Sequence, residues 1–338
     1  MSIISIFHRD ERFENEILSI QYLRGIAALM VTFCHFLPER FLPHFPFLVA
    51  FFESGKMGVY SFFCISGFVV TYSLLKAGYT IELFIPFLKK RLIRIEPPYL
   101  FSVFMIVANY WLRLYLGQPI HQEVTWQNVL THVGYINAFL GPNTWFQTIY
   151  WTLAIEFMFY LFIAVVFPLL VSRKSLHRVT LLCSMLLFSL FFPAKYHFPA
   201  AFPFFVLGMI SCLYFVKRVD FYEFLAFCVL SMIIVGMYHG LIAVAYTFVT
   251  FSLFFVRFKR IEVLYFLGSI SYSLYLTHLF FGGRFVTKGF DLPDAYFIKP
   301  LFFFGCVLVT IFFAWLYYLL IEKRCVELSK RISMVPKR

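Results

Sequence analysis

The chain has 338 residues, of which 62% are hydrophobic and only 14% charged, and 29 Lys and Arg against 17 Asp and Glu give a formal net charge of +12. A water-soluble domain of this length needs a polar surface that such a composition cannot supply. Nor does the positive charge point to nucleic acid, because the basic residues are spread over many short polar intervals rather than gathered in one arm.

Apolar runs of roughly the 20 residues that cross a bilayer fall at 18–37, 57–76, 98–116, 149–171, 178–193, 198–216, 220–237, 240–256, 263–282 and 300–321. They predict an all-α integral membrane protein, a bundle of about ten transmembrane helices. The run at 178–193 is short. The pairs 178–216 and 220–256 are joined by tight turns, and each hairpin returns the chain to its starting side. With the N-terminus in the cytoplasm, 21 of the Lys and Arg fall on the inside, and only Arg40, Lys56, Lys195, Arg284, Lys288 and Lys299 fall outside. The positive-inside rule then places both termini in the cytoplasm. Residues 1–17 form a cytoplasmic segment and 322–338 a cytoplasmic tail around a membrane domain at 18–321. A full span follows the polar stretch His8–Arg12 directly, so no cleavable signal peptide is expected. The seven cysteines are scattered without a CxxC pair, and neither a disulfide framework nor a metal site is indicated. The longest non-spanning segment, about 117–148, lies outside and carries no Lys or Arg. A loop this long in a compact bundle is more often functional than structural.

Ionisable groups inside the apolar runs are costly and usually functional. Arg24 and His35 lie at opposite ends of the first run, Glu156 is about two turns into the fourth, and His278 lies in the ninth. Counting the helical rise of 1.5 Å per residue places His35, Glu156 and His278 in the outer half. Arg24 falls near the inner end, at the depth of Arg91 and Arg94, which precede Pro97 and Pro98. The reading is an outer His/Glu/His layer and an inner arginine layer. A neutral His can take a proton from a hydroxyl at physiological pH, and arginines bind phosphates bidentately. Buried His and Glu also form proton relays, so a proton-coupled transporter of an anionic substrate is the rival reading. Cys34 beside His35 is no dyad, since adjacent helical residues do not face each other.

Five ordered motifs carry a resemblance over almost the whole chain. They are RGIAALMVTFCH at 24–35, SFFCISGFVVTYS at 61–73, KKRLIRIEPPY at 89–99, YWTLAIEFMFYL at 150–161 and LGSISYSLYLTH at 267–278; IEKR at 321–324 is similar to the family's last helix ending. In these the chain resembles membrane acyltransferase family 3, a group of integral-membrane O-acyltransferases. The resemblance implies a ten-helix core that takes acetyl, or a similar acyl group, from cytoplasmic acyl-CoA. The implied acceptor is a hydroxyl of a cell-surface glycan or its lipid-linked precursor. It implies a catalytic His35, with Arg24, Arg91 and Arg94 near the donor and Glu156 orienting the histidine. His278, Ser66, Trp151 and Tyr160 would support the acceptor side, Ser66 and Trp151 as candidate oxyanion donors. Acetyl-CoA would be a co-substrate, with no permanently bound cofactor. The bilayer of a bacterial inner membrane is the default setting. Thr277 stands where many members carry Trp, and no Pro follows His278 closely. An esterase-like extracytoplasmic domain of the SGNH type, common in bacterial members, is not expected here.

Overall fold

The computed structural model describes residues 11–120, 123–141, 144–192, 194, 196–294 and 296–334, with side chains from Leu18 onward. The segment 1–10, the side chain of Arg12, and Lys195, Lys337 and Arg338, all used above for topology, lie outside the described residues. Among the described residues helices are the only regular secondary structure, with no strand.

The helices are α1 (Glu11–His35), α2 (Pro38–Phe41), α3 (Pro46–Glu53), α4 (Gly58–Lys76) and α5 (Phe84–Tyr115). After a loop with two short helices, α6 (Trp126–His132) and α7 (Asn137–Leu140), come α8 (Trp151–Leu170), α9 (Ser175–Phe191), α10 (Phe202–Phe215) and α11 (Phe221–Leu253). The chain closes with α12 (Glu262–Ser269), α13 (Ser271–Lys288), α14 (Ile298–Tyr317) and α15 (Lys323–Lys330), the last two joined by a π-helical turn at Tyr318–Glu322. Helices dominate because a backbone in hydrocarbon must satisfy its polar groups internally. Where helices start in polar surroundings, side chains serve instead: Thr125 and Asp220 accept from the Asn128 and Glu223 amides at 3.2 and 2.9 Å.

Six helical stretches among the described residues are long and apolar enough to cross a membrane, or seven if α12 and α13 count as one bent span. This is fewer than the ten apolar runs. α1, which holds Gln21, Arg24 and His35 in its apolar stretch, is not among the six, and neither is the 17-residue α9. The runs at 220–237 and 240–256 fall in one 33-residue helical element, but that element doubles back. Gly240 has φ 80° and ψ 172°, a conformation open to glycine. The Phe224 and Phe255 rings lie 5.8 Å apart, whereas 31 residues of straight helix would separate them by about 46 Å. The turn expected between the two runs is therefore present.

Two further departures bear on the site. The third run was expected to begin at 98, with Arg91 and Arg94 before it. Instead α5 is continuous from Phe84 to Tyr115, with Pro97 and Pro98 inside it. Proline removes backbone donors from a helix interior, and two tyrosines pin the backbone there. The Tyr272 hydroxyl donates to the Ile95 carbonyl at 2.8 Å and the Tyr317 hydroxyl to that of Pro98. The ninth run is broken: α12 and α13 meet at 69°. α12 is seated on α1 through Gly25 and Gly268, since a Cβ on Gly25 would stand 2.6 Å from the Gly268 nitrogen.

α4 and α10 pack backbone to backbone. A Cβ on Gly208 would fall 2.0 Å from the Cys64 carbonyl oxygen, and one on Gly67 would fall 2.5 Å from that of Phe205. Neither obstacle is a side chain that can swing away. Gly208→Ala should therefore destabilise the bundle by about 1–3 kcal/mol, the usual cost of overpacking. Thermal unfolding in detergent would read this, and an unchanged midpoint would contradict the seam. Elsewhere the buried Arg178 and the mostly buried Glu223 form a two-bond fork at 2.6 and 2.7 Å, tying α9 to α11.

Candidate active site

A cavity of about 110 Å³, open to the outside, lies between α1, α4, α5, α8 and α13. Arg24 enters from α1, Arg91 and Arg94 from α5, Ser66 from α4, Glu156 and Tyr160 from α8, Tyr272 and Tyr275 from α13, and Glu322 from the π-helical turn. Arg91 and Arg94 are three residues apart on a helix, so they share a face. Because α5 does not break before the prolines, that face is presented rigidly.

None of the three guanidiniums makes a hydrogen bond or an ion pair within 4.0 Å among the described residues. Arg91 lies over the Phe87 and Tyr160 rings, 5.5 Å from each centroid. The carboxylates are occupied elsewhere. Glu156 accepts from the Ser66 hydroxyl at 3.2 Å and from the Tyr160 hydroxyl through the same oxygen. Glu322, only 3% exposed, accepts from the Ser273 amide at 3.1 Å and the Ser273 hydroxyl at 2.5 Å. Three cations against two anions leave the cavity formally at +1, with its donors free to meet an anionic ligand.

The two histidines meet outside that cavity. His278 is fully buried, and its Nε2 lies 3.3 Å from Nδ1 of His35, the last residue of α1. Helical carbonyls set the tautomer of each ring. His278 Nδ1 is 2.8 Å from the Tyr275 carbonyl oxygen, and His35 Nδ1 is 2.8 Å from that of Val31. A carbonyl oxygen only accepts, so both Nδ1 atoms carry hydrogen. The His278 Nε2 lone pair then shares the one hydrogen of His35 Nδ1 with the Val31 carbonyl oxygen, which is the nearer acceptor. His35 Nε2 keeps a lone pair with no partner among the described residues. His132 is the contrast, a buried loop histidine. Its Nδ1–H donates to the Asn128 carbonyl at 2.6 Å and its Nε2 accepts from the Phe146 amide at 3.2 Å. Burial lowers the pKa of His132, and both of its nitrogens are committed to backbone.

Tyr275 stands between the cavity and the histidine pair. It lines the cavity, its ring centroid is 6.0 Å from that of His278, and its hydroxyl is held 2.6 Å from the Thr152 hydroxyl and 3.1 Å from the Ile149 carbonyl.

The layers therefore differ from those read by depth. Glu156 joins the arginines rather than the histidines, and His278 pairs with His35 rather than with Glu156. Depth along a helix says nothing about azimuth, and Glu156 is turned toward Ser66 and toward Tyr160, one turn on. Trp151 does not line the cavity. It packs edge-on against Phe63 at 6.2 Å and Tyr196 at 5.2 Å. Thr277, standing in place of the expected Trp, is buried and donates to the Ser273 carbonyl at 2.7 Å. Glu322, Tyr272 and Tyr275 were not singled out in advance. The sequence signal for Glu322 was a lone carboxylate at the end of the last apolar run, legible only as a helix ending.

A protein of Acidianus two-tailed virus described as an acetyltransferase is 30% identical over 175 residues, a stretch that covers 51% of this chain and 47% of that protein. The chain thus spans about half the length of that relative. No solved structure matches. The family described as Acyltransferase domain, acyltransferase family 3, matches residues 17–319. The motifs, the helical membrane architecture and this match over most of the chain together assign it: the protein belongs to acyltransferase family 3.

Proposed function

We propose that the protein is a multi-pass membrane O-acyltransferase. It takes an acyl group, most simply acetyl, from acyl-CoA and passes it to a hydroxyl of a cell-surface or lipid-linked glycan. The observation that carries the donor half is the bank of three unpaired guanidiniums in one cavity, which suits the phosphates of CoA. In this reading the bundle makes ten passes in the inner membrane of a bacterium, with both termini and the arginine cavity toward the cytoplasm. The distribution of Lys and Arg supports that orientation.

His35 is the general base. Its free Nε2 takes the proton of the acceptor hydroxyl as the oxygen attacks the thioester carbonyl. The C–S bond breaks, the ester forms, and the leaving thiolate takes up a proton to give CoA. His278 positions His35 by accepting from its Nδ1–H, which is the place held by the carboxylate in a serine-hydrolase triad. Glu156, fixed by Ser66 and Tyr160, balances the arginine charge. Ser66 and Tyr160 act through Glu156.

The test uses membranes containing the protein, supplied with acetyl-CoA and a lipid-linked glycan fraction. Release of CoA matched by one acetyl per modified acceptor is the expected result. Transmembrane flux of an anion without CoA release would instead establish a transporter.

A further inference from the structure

α13 begins without a cap of its own. Its N-cap position is Ile270, which offers no side-chain acceptor, and the helix starts at a break of 69°. The first amides of a helix carry the positive end of the helix dipole and need an acceptor. Glu322 supplies it from another element. One carboxylate oxygen takes both the Ser273 amide and the Ser273 hydroxyl. The same residue lines the arginine cavity. Five residues beyond Ser273, and so about 7.5 Å along the helix, is His278. Tyr275, between the cavity and the histidines, lies two residues beyond Ser273.

We infer that Glu322 is a positioning residue with two opposed effects: it clamps the start of α13, and so holds Tyr275 and His278 in place, while its charge weakens anion binding in the cavity it lines. The second effect rests on the donor reading given above; the first does not. The clamp is electrostatic as well as geometric, because a carboxylate at a helix N-terminus is stabilised by the dipole. The π-helical turn that carries Glu322 gives it this reach, and such turns recur at functional positions.

The two effects separate in three variants of the full-length protein in detergent. Glu322→Gln removes the charge and weakens the clamp. It should bind acetyl-CoA roughly threefold or more tighter, by the loss of one like-signed charge facing the ligand. Its turnover should fall roughly 10- to 100-fold, the penalty for a small displacement of reacting groups. Glu322→Asp keeps the charge but shortens the arm, so it should lose turnover without tighter binding. Ser273→Ala removes one of the two donors and should lower turnover modestly with donor affinity unchanged. Hydrogen exchange over 271–278 reads the clamp without any ligand, and its protection should drop in Glu322→Gln and Glu322→Asp. Donor affinity and turnover falling together in Glu322→Gln would show a merely structural residue and overturn the inference. So would unchanged exchange over 271–278. If wild-type protein binds no acyl-CoA, the donor reading fails, and a drop in exchange protection would still uphold the clamp.

Discussion

His35→Ala should abolish acyl transfer, lowering turnover roughly 10²- to 10⁴-fold, the usual worth of a positioned general base, while acetyl-CoA still binds with near wild-type affinity. The separation follows from geometry. His35 does not line the arginine cavity, and Tyr275 lies between that cavity and the histidine pair. Removing the imidazole leaves the guanidiniums where they are. His278 cannot substitute, since its Nε2 faces the His35 ring and its Nδ1–H is held by helix carbonyls. A His278→Ala variant should be impaired less than His35→Ala, because it loses the positioning of the base but not the base. Stopped assays of CoA release and equilibrium binding of acetyl-CoA check both. A His35→Ala enzyme that retained turnover would end the assignment of the base.

Arg91→Ala combined with Arg94→Ala should show the opposite split. Donor affinity should fall roughly 10- to 100-fold for each charged hydrogen-bonding partner lost, with the acceptor dependence little changed. Neither arginine is tied to a carboxylate, so their removal orphans no buried partner. That makes the pair a cleaner probe than Glu156→Ala, which would leave the Tyr160 hydroxyl and Ser66 without their acceptor. Lysine at both positions should restore only part of the affinity, because an ammonium cannot make the two-pronged contact of a guanidinium. Donor affinity unchanged in the double variant would reduce the arginines to topological markers.

Much of this was legible in the sequence because a bilayer restricts what a chain can do. Apolar runs separated by polar turns predict helices, and the tight turn expected between the runs at 220–237 and 240–256 is the doubling back seen at Gly240. Arg24 and His35 are 11 residues apart, which in an α-helix is about 16 Å of rise and nearly a whole number of turns. One face of α1 can thus serve both the cavity and the histidine pair. What stayed illegible was direction around each helix and the fate of interrupted ones. Glu156, grouped with the histidines by counting along the helix, faces Ser66, Tyr160 and the arginine cavity instead. The prolines at 97 and 98 read as a helix start, yet α5 runs through them with tyrosine hydroxyls bonded to the backbone beside them. The clamp from Glu322 to Ser273 joins residues 49 positions apart and has no local signature.

The glycine seam between α4 and α10 has a mechanical consequence. Ser66 adjoins Gly67, so the α4 wall of the cavity is braced against a neighbouring backbone with no compressible side chain between them. A wall of that kind acts as an anvil. On the donor reading proposed above, widening for a bulky ligand falls to the other walls, among them α13, which follows the bend at Ile270 and is tied at its first turn by the Glu322 carboxylate and by Tyr272 to the Ile95 carbonyl.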